Sequence, residues 1–281
     1  MADWEIEVQL PTGAVRSGVM GARVGPAVFN TGQVLFGLIG AFQATGKERY
    51  AEAARKAADW LVQNQDNDGA WRKNLSLLTT STVQTYNTRT AWGLLVAGQV
   101  LDEPAWIDAA RTNCNWALGQ QQSNGWFSRC GFFENEVPLL HTIGYALEGL
   151  LGVGEALGEE RYIDAARRGV KPLAEIYQSQ GSLKGRYDGN WDSTVSWRCL
   201  TGEAQIALVL YRLSKHFHEE SFAQTGLALL KDIAAIQDSE SPFTENRGGI
   251  PGSEPIWLGY CPLSYINWAA KFYLDALLLG L

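Results

Sequence analysis

The chain has 281 residues, is 46% hydrophobic and carries a net charge of −7 with a pI near 5.1. That acidity argues against a nucleic-acid surface, and the apolar content is ample for a large core. No apolar run approaches the ~18 residues of a membrane span, and the opening MADWEIEV has acids where an export signal needs basic residues.

In chain order, the first stretch echoes a later one. Ala2, Asp3, Trp4, Gln9 and Gly13 match Ala58, Asp59, Trp60, Gln65 and Gly69, each 56 positions on. The chain is therefore expected to open in the last turns of a repeat helix, with an earlier helix pair missing. An apolar run, TGQVLFGLIGAFQA, follows from Thr31. Then comes YAEAARKAADWLVQNQDNDGAW, Tyr50–Trp71, the best formed copy of the repeat. Tyr50, Ala53, Ala54, Ala57, Trp60 and Leu61 recur at helical spacing, with Glu52, Arg55, Lys56 and Asp59 between them, which predicts an amphipathic helix. The same unit returns at Trp106–Trp126 and from Tyr162, and more weakly from Phe222. Repeats of this period stack one supersecondary unit several times.

Between the amphipathic copies lie helices that are apolar all round, starting at Thr31, Thr88, Thr142, Thr201 and Ser264. A helix apolar on every side is expected to be buried on every side, with the amphipathic helices outside it. Asn30, Asn87 and the Thr and Ser residues at these starts read as N-caps, and Asn30-x-x-Gln33 as a capping box. Short links lead from each inner helix to the next outer one. Long links, roughly 10–30, 66–87, 120–141, 179–200 and 238–263, lead back. The fold class is all-α. Residues 1–281 are expected to form one (α/α)n toroid of helical hairpins, with about five of six pairs present.

Lys56-Ala57-x-x-Trp60-Leu61-x-x-x-Gln65-x-x-x-Gly69-x-Trp71 resembles the QW repeat of squalene and hopene cyclases, and Gln121-x-x-x-Gly125-x-Phe127 is a looser copy. In that family the Gln and Trp are structural, so the resemblance implies an α/α toroid and hardly a reaction. The DxDD run of the hopene cyclases is absent, and neither Cys199 nor Cys261 has the Asp of a prenyltransferase zinc site two residues before it. The same toroid is similar to that of six-hairpin glycosidases, polysaccharide lyases and sugar epimerases. Some bacterial QW-repeat proteins accompany polysaccharide synthesis without an assigned reaction.

The long loops carry the chemistry. Arg16, Arg23, Arg72, Arg89, Arg129, Arg186, Arg198 and Arg247 fall in or next to them, where the inner-helix N-termini also favour an anion. These arginines either grip a carboxylate or phosphate or pair with loop acids such as Asp68, Glu134, Glu136, Glu245 and Glu254. Trp71 and Trp126 suit packing, whereas Trp191, Trp197 and Trp257 are stacking candidates for a sugar ring. His141, Tyr145 and Glu148 share one helix stripe. They form an acid/base set if it faces the lumen and a core cluster if it faces a helix. Asp188 and Asp192 form a carboxylate pair, or turn formers.

The expected catalytic set is His141, Tyr145, Asp188, Asp192 and Glu203. The expected substrate-binding set is Arg89, Trp191, Trp197, Arg198, Arg247 and Trp257. No metal-ligand spacing and no phosphate-cradling loop is present, so neither metal nor cofactor is expected. Four cysteines without CxxC spacing suit a reduced, cytoplasmic protein. The favoured function is a carbohydrate-active toroid that acts on or binds an anionic sugar or polysaccharide. A non-catalytic binding or assembly module of polysaccharide biosynthesis and a terpenoid cyclase-like or prenyl-binding protein are the alternatives. Whether the chain is an enzyme stays open at this stage. Expected partners are an anionic saccharide and, if an open ring exposes inner helices, a second copy or a preceding N-terminal segment.

Overall fold

The computed structural model describes residues 1–18, 25–76 and 79–279. Arg23 lies outside them. The helices alternate long and short connections as the repeat predicts: α1 Ala2–Val8, α2 Val28–Thr45, α3 Glu48–Gln63, α4 Thr88–Val100, α5 Pro104–Leu118, α6 Leu140–Leu157, α7 Glu160–Gln180, α8 Leu200–Phe217, α9 Glu220–Ala234 and α10 Asn267–Leu278. A 3-10 turn, Thr85–Asn87, leads into α4. Two strands of two residues each, β1 Arg198–Cys199 and β2 Ser253–Glu254, pair antiparallel. No described helix is long and apolar enough to cross a membrane. The chain divides into two compact units. The first is Met1–Gln121 with Arg129–Glu136 and Gly149–Tyr162, and the second is Gln122–Ser128 with Val137–Glu148 and Ile163–Leu281.

In the first unit α2 packs along α4, and each is joined to an amphipathic partner, α3 or α5. The face of α3 foreseen from spacing is the buried one: Tyr50, Ala53, Ala54, Ala57, Trp60 and Leu61 are all inside. Successive amphipathic helices are then tied by three contacts that recur with the repeat. At the end of one helix, Gln9 Nε2 donates to Gly13 O and to Ala53 O on the next, at 2.8 and 2.9 Å. Gln65 Nε2 donates likewise to Gly69 O and Ala109 O, both at 2.9 Å. The aromatic at each helix start reaches back to a polar residue of the preceding copy. Tyr50 donates to Asp3 at 2.8 Å, Trp106 to Asp59 at 3.0 Å and Tyr162 to Asn115 at 2.7 Å. An arginine in the middle of one helix pairs with the glutamate before the next, as Arg55 does with Glu103 and Arg111 with Glu159.

The repeat glycine has two physical reasons to be glycine. Gly13 and Gly69 sit at φ +93° and +92°, and a Cβ there would come within 2.1 Å of Lys56 O and 2.4 Å of Thr112 O. Trp71, fully buried, closes the turn by donating its indole N–H to Leu61 O at 2.9 Å. Replacing Gln65 by Leu keeps the volume and removes both amide bonds, while Gly69 O keeps its bond from Asn113 Nδ2. The expected loss is about 1–2 kcal/mol of unfolding free energy, read as a lower urea midpoint at unchanged slope. An unchanged midpoint would show that the tie is ornamental.

In the second unit, α8 packs against both α9 and α10. The repeat tie is made again by Gly125, at φ +89°, whose Cβ would meet Arg168 O at 2.2 Å. The pairing of Arg167 with Glu219 continues the arginine–glutamate series. Burial of the apolar helices differs from the expectation. Every residue from Leu200 to Leu210 of α8 is buried, but α10 buries only Ala269, Phe272 and Ala276 and exposes Trp268, Leu274, Leu277 and Leu278. Apolar composition permits burial on any side, and the neighbours present decide which sides receive it.

The capping expectation is also corrected. The described starts of α2, α4, α8 and α10 have no side-chain cap bond. Helix α2 begins before Thr31, whose hydroxyl donates to Ala27 O at 2.7 Å, and Gln33 Oε1 accepts from Arg89 Nε at 3.3 Å instead of closing a box with Asn30. Loop carbonyls satisfy the orphan donors: Val28 N–H bonds Asn74 O at 2.8 Å, and Leu140 N–H bonds Gly185 O at 2.9 Å.

Candidate functional site

The second unit places four of the expected site residues, His141, Tyr145, Arg198 and Glu203, at the starts of α6 and α8. The connection from α7 doubles back on itself, with Gly185 N–H on Trp197 O at 2.8 Å, and delivers Arg198 immediately before α8. The β1–β2 ladder then sets Arg198 opposite Glu254 and Cys199 opposite Ser253. One turn into α8, Glu203 is completely buried. It receives Arg198 Nε at 2.9 Å and Nη2 at 2.6 Å, while Nη1 goes to Glu254 at 2.6 Å.

Desolvation opposes both charges of the pair. On Arg198 the hydrogen bonds and field of Glu203, with the field of Glu254, outweigh it and hold the guanidinium firmly charged. On Glu203 burial wins, and the carboxyl sits above the usual carboxylate range despite Arg198. Two expected roles are corrected by this geometry. The fork of Arg198 is occupied by two carboxylates of its own chain rather than waiting for a ligand anion. Both oxygens of Glu203 are occupied by Arg198, so it ties the loop before α8 to the helix.

Two residues further along α8, Gln205 meets the start of α6. Its Oε1 lies 2.6 Å from His141 Nδ1. The close approach of the two helices depends on Gly144, where a Cβ would come within 2.9 Å of the Gln205 side chain. Around the imidazole stand Tyr145, Tyr260 and Phe272, with ring centroids at 4.3, 5.4 and 6.0 Å. His141 is 2% exposed and Tyr145 8%. Burial raises the Tyr260 hydroxyl well above its ordinary range. The Cys199 thiol is pushed up to about 12 by burial, with the N–H groups of Gly202 and His141 pulling it back. Glu148 is buried on the same helix stripe.

Other expected residues are placed differently. Asp188 Oδ1 accepts the N–H groups of Asn190 and Asp192 at 2.9 and 3.0 Å, which makes it a turn former rather than half of a carboxylate pair. Asp192 is exposed. Trp191 is buried and donates its indole N–H to Asn124 O at 3.0 Å, so it is a packing residue and not a stacking plate. The Trp197 ring lies against backbone at Gly185 and Gly259, where a Cβ would come within 1.9 and 2.3 Å of ring atoms. Trp257 stays exposed. Arg247 donates to Ser241 O, and Arg186 to Val137 O. In the first unit, Arg89 is buried over the rings of Phe36 and Trp92, 5.0 and 4.8 Å from their centroids.

Sequence reasoning missed Gln205, Tyr260 and Phe272. Gln205 left a signal, an amide interrupting an apolar helix two residues after Glu203. Tyr260 and Phe272 left none, because only the return of the last long loop brings them to His141.

Residues 30–110 match the family described as pectic acid lyase. No curated protein matches the chain. Among solved structures, the chain is similar to cellobiose 2-epimerase from Bacillus thermoamylovorans, at 12% identity over 98% of this chain and 81% of that one, with a TM-score of 0.74. It is similar to D-mannose isomerase at 15% identity over 98% and 79%, with a TM-score of 0.70. It is also similar to an unsaturated glucuronyl hydrolase from a Bacillus species, described as responsible for the degradation of glycosaminoglycan, at 15% identity over 89% and 73%, with a TM-score of 0.72. The fold is that of the six-hairpin, glycosidase-like α/α toroids.

Proposed function

We propose that this protein is a carbohydrate-active enzyme that transfers a proton to or from a sugar or polysaccharide at His141, with Tyr145 beside it. One observation carries the reading. An imidazole bonded at Nδ1 to Gln205, with the Tyr145 ring 4.3 Å away, sets an acid/base group beside a phenol at the start of α6. The likeness of the fold to epimerases, isomerases and hydrolases of sugars supports the substrate class. An anionic sugar was the form suggested by the loop arginines. The engagement of Arg198 by Glu203 and Glu254 reduces that supply, so neutral glycans belong beside acidic ones in any test.

The full chain is incubated with both kinds of oligosaccharide, and new reducing ends, new unsaturation and epimer ratios are followed. Turnover is expected with at least one. Tyr145→Phe and His141→Asn are each expected to lower kcat by about 10²–10⁴-fold with little change in KM.

A second reading has its own support in the low exposure of His141 and Tyr145, 2% and 8%. In it the pair is a core cluster and the protein a non-catalytic glycan-binding or assembly module. Saturable binding without turnover would establish that reading over the first. Neither binding nor turnover would dismiss both.

A further inference from the structure

Gln205 is an amide inside a helix whose neighbours Ala204, Ile206 and Ala207 are completely buried, and it is completely buried itself. A buried amide is costly unless its polar atoms are bonded. Its oxygen is bonded, at 2.6 Å from His141 Nδ1. Among the described residues its Nε2 has no hydrogen-bond partner. The side chain has little freedom to seek one. It lies against Gly144, where even a methyl group would come within 2.9 Å of its Cβ, Cδ and Oε1. A slot of this kind orients the amide and leaves one donor over.

We propose that Gln205 is the positioning residue for His141: it holds the imidazole as the Nδ1–H tautomer and keeps its own spare N–H for an oxygen of the bound ligand. A carboxamide oxygen only accepts, so the imidazole proton facing it sits on Nδ1. The lone pair of the neutral ring is then on Nε2. A glutamate of the same length would do this differently. Its charge would favour the imidazolium and remove the base near neutral pH, whereas the neutral amide fixes the tautomer without holding the charge. Titratable groups at the ring include the Tyr145 and Tyr260 hydroxyls and the Cys199 thiol, which receives the His141 backbone N–H. The unpartnered Nε2 marks where a ligand hydroxyl, carbonyl or ring oxygen completes the network. An N–H left dry there would be costly.

The ligand half of this inference rests on the sugar-enzyme reading, but the tautomer half does not and is tested without any substrate. Long-range 1H–15N correlation spectra of the full chain report which imidazole nitrogen carries the proton. His141→Asn assigns the signal against those of His216 and His218. The expected result is Nδ1–H for His141. In Gln205→Met, which keeps the length and loses the acceptor, the proton should redistribute toward Nε2. In Gln205→Glu the titration of His141 should move up by at least about one pH unit, tenfold in proton affinity. Nε2–H in the unaltered protein would mean that the amide is turned around, donating to Nδ1, and would overturn the proposal. So would a tautomer indifferent to Gln205→Met. A protein with the expected tautomer that neither binds nor turns over any saccharide would retain the positioning role and lose only the sugar reading.

Discussion

Replacing Arg198 by Met is expected to lower the unfolding free energy by about 3–5 kcal/mol, because it strands a charge in a place water does not reach. Glu203 is 0% exposed and accepts two of the three hydrogen bonds that Arg198 makes to carboxylates. Without them its carboxyl must either stay ionised without compensation or take up a proton, and both states are costly. The partners separate cleanly. Glu254 keeps 42% of its side chain exposed, so Glu254→Gln should cost about 1 kcal/mol or less. The double variant Arg198→Met with Glu203→Leu, which removes both buried charges, should recover most of the loss. Urea unfolding of the single and double variants measures all three terms. If Arg198→Met costs no more than Glu254→Gln, the buried pair does not hold the loop before α8.

The second large effect belongs to the repeat glycines. Gly69→Ala should cost about 2–5 kcal/mol, combining about 1–2 kcal/mol for an L-residue at positive φ with about 1–3 kcal/mol for forcing a methyl group into closed packing. The methyl would lie 2.4 Å from Thr112 O, against backbone that cannot swing aside. Any shift would also disturb Gly69 O, which accepts from Gln65 and from Asn113 at 2.9 and 2.8 Å. The control is built into the chain. Gly181 has φ +70° with nothing within 4 Å of its missing Cβ, so Gly181→Ala should carry only the backbone cost of about 1–2 kcal/mol. Unfolding midpoints compared side by side decide it. Equal losses at the two positions would refute the close-approach argument and leave positive φ as the sole reason for glycine.

Some of this protein is written locally in its chain. The buried face of α3 is readable because a 3.6-residue period places Tyr50, Ala54, Ala57 and Leu61 on one side whatever else the chain does. The 56-residue recurrence of Gln9 and Gln65, of Gly13 and Gly69, predicts the same turn built twice. The structure builds it with the same bonds. His141 and Tyr145 were legible as neighbours for the same reason, since four residues on a helix bring two rings together.

What the period does not carry is the path of the long loops. Arg198 finds Glu254 through two-residue strands too short to show in any pattern, and that meeting turns an expected ligand clamp into an internal ion pair. Asp188 becomes a turn former because its own backbone returns beneath it. Gln205 reaches His141 across 64 positions, in a contact that exists only because Gly144 lets α6 and α8 approach. Helical periodicity follows from backbone geometry within a few residues, so the sequence alone determined the helices, the buried face of an amphipathic one such as α3 and the turns between repeats. Which polar groups end up paired depends on where non-repeating segments come back through space, and only the tertiary structure decided that.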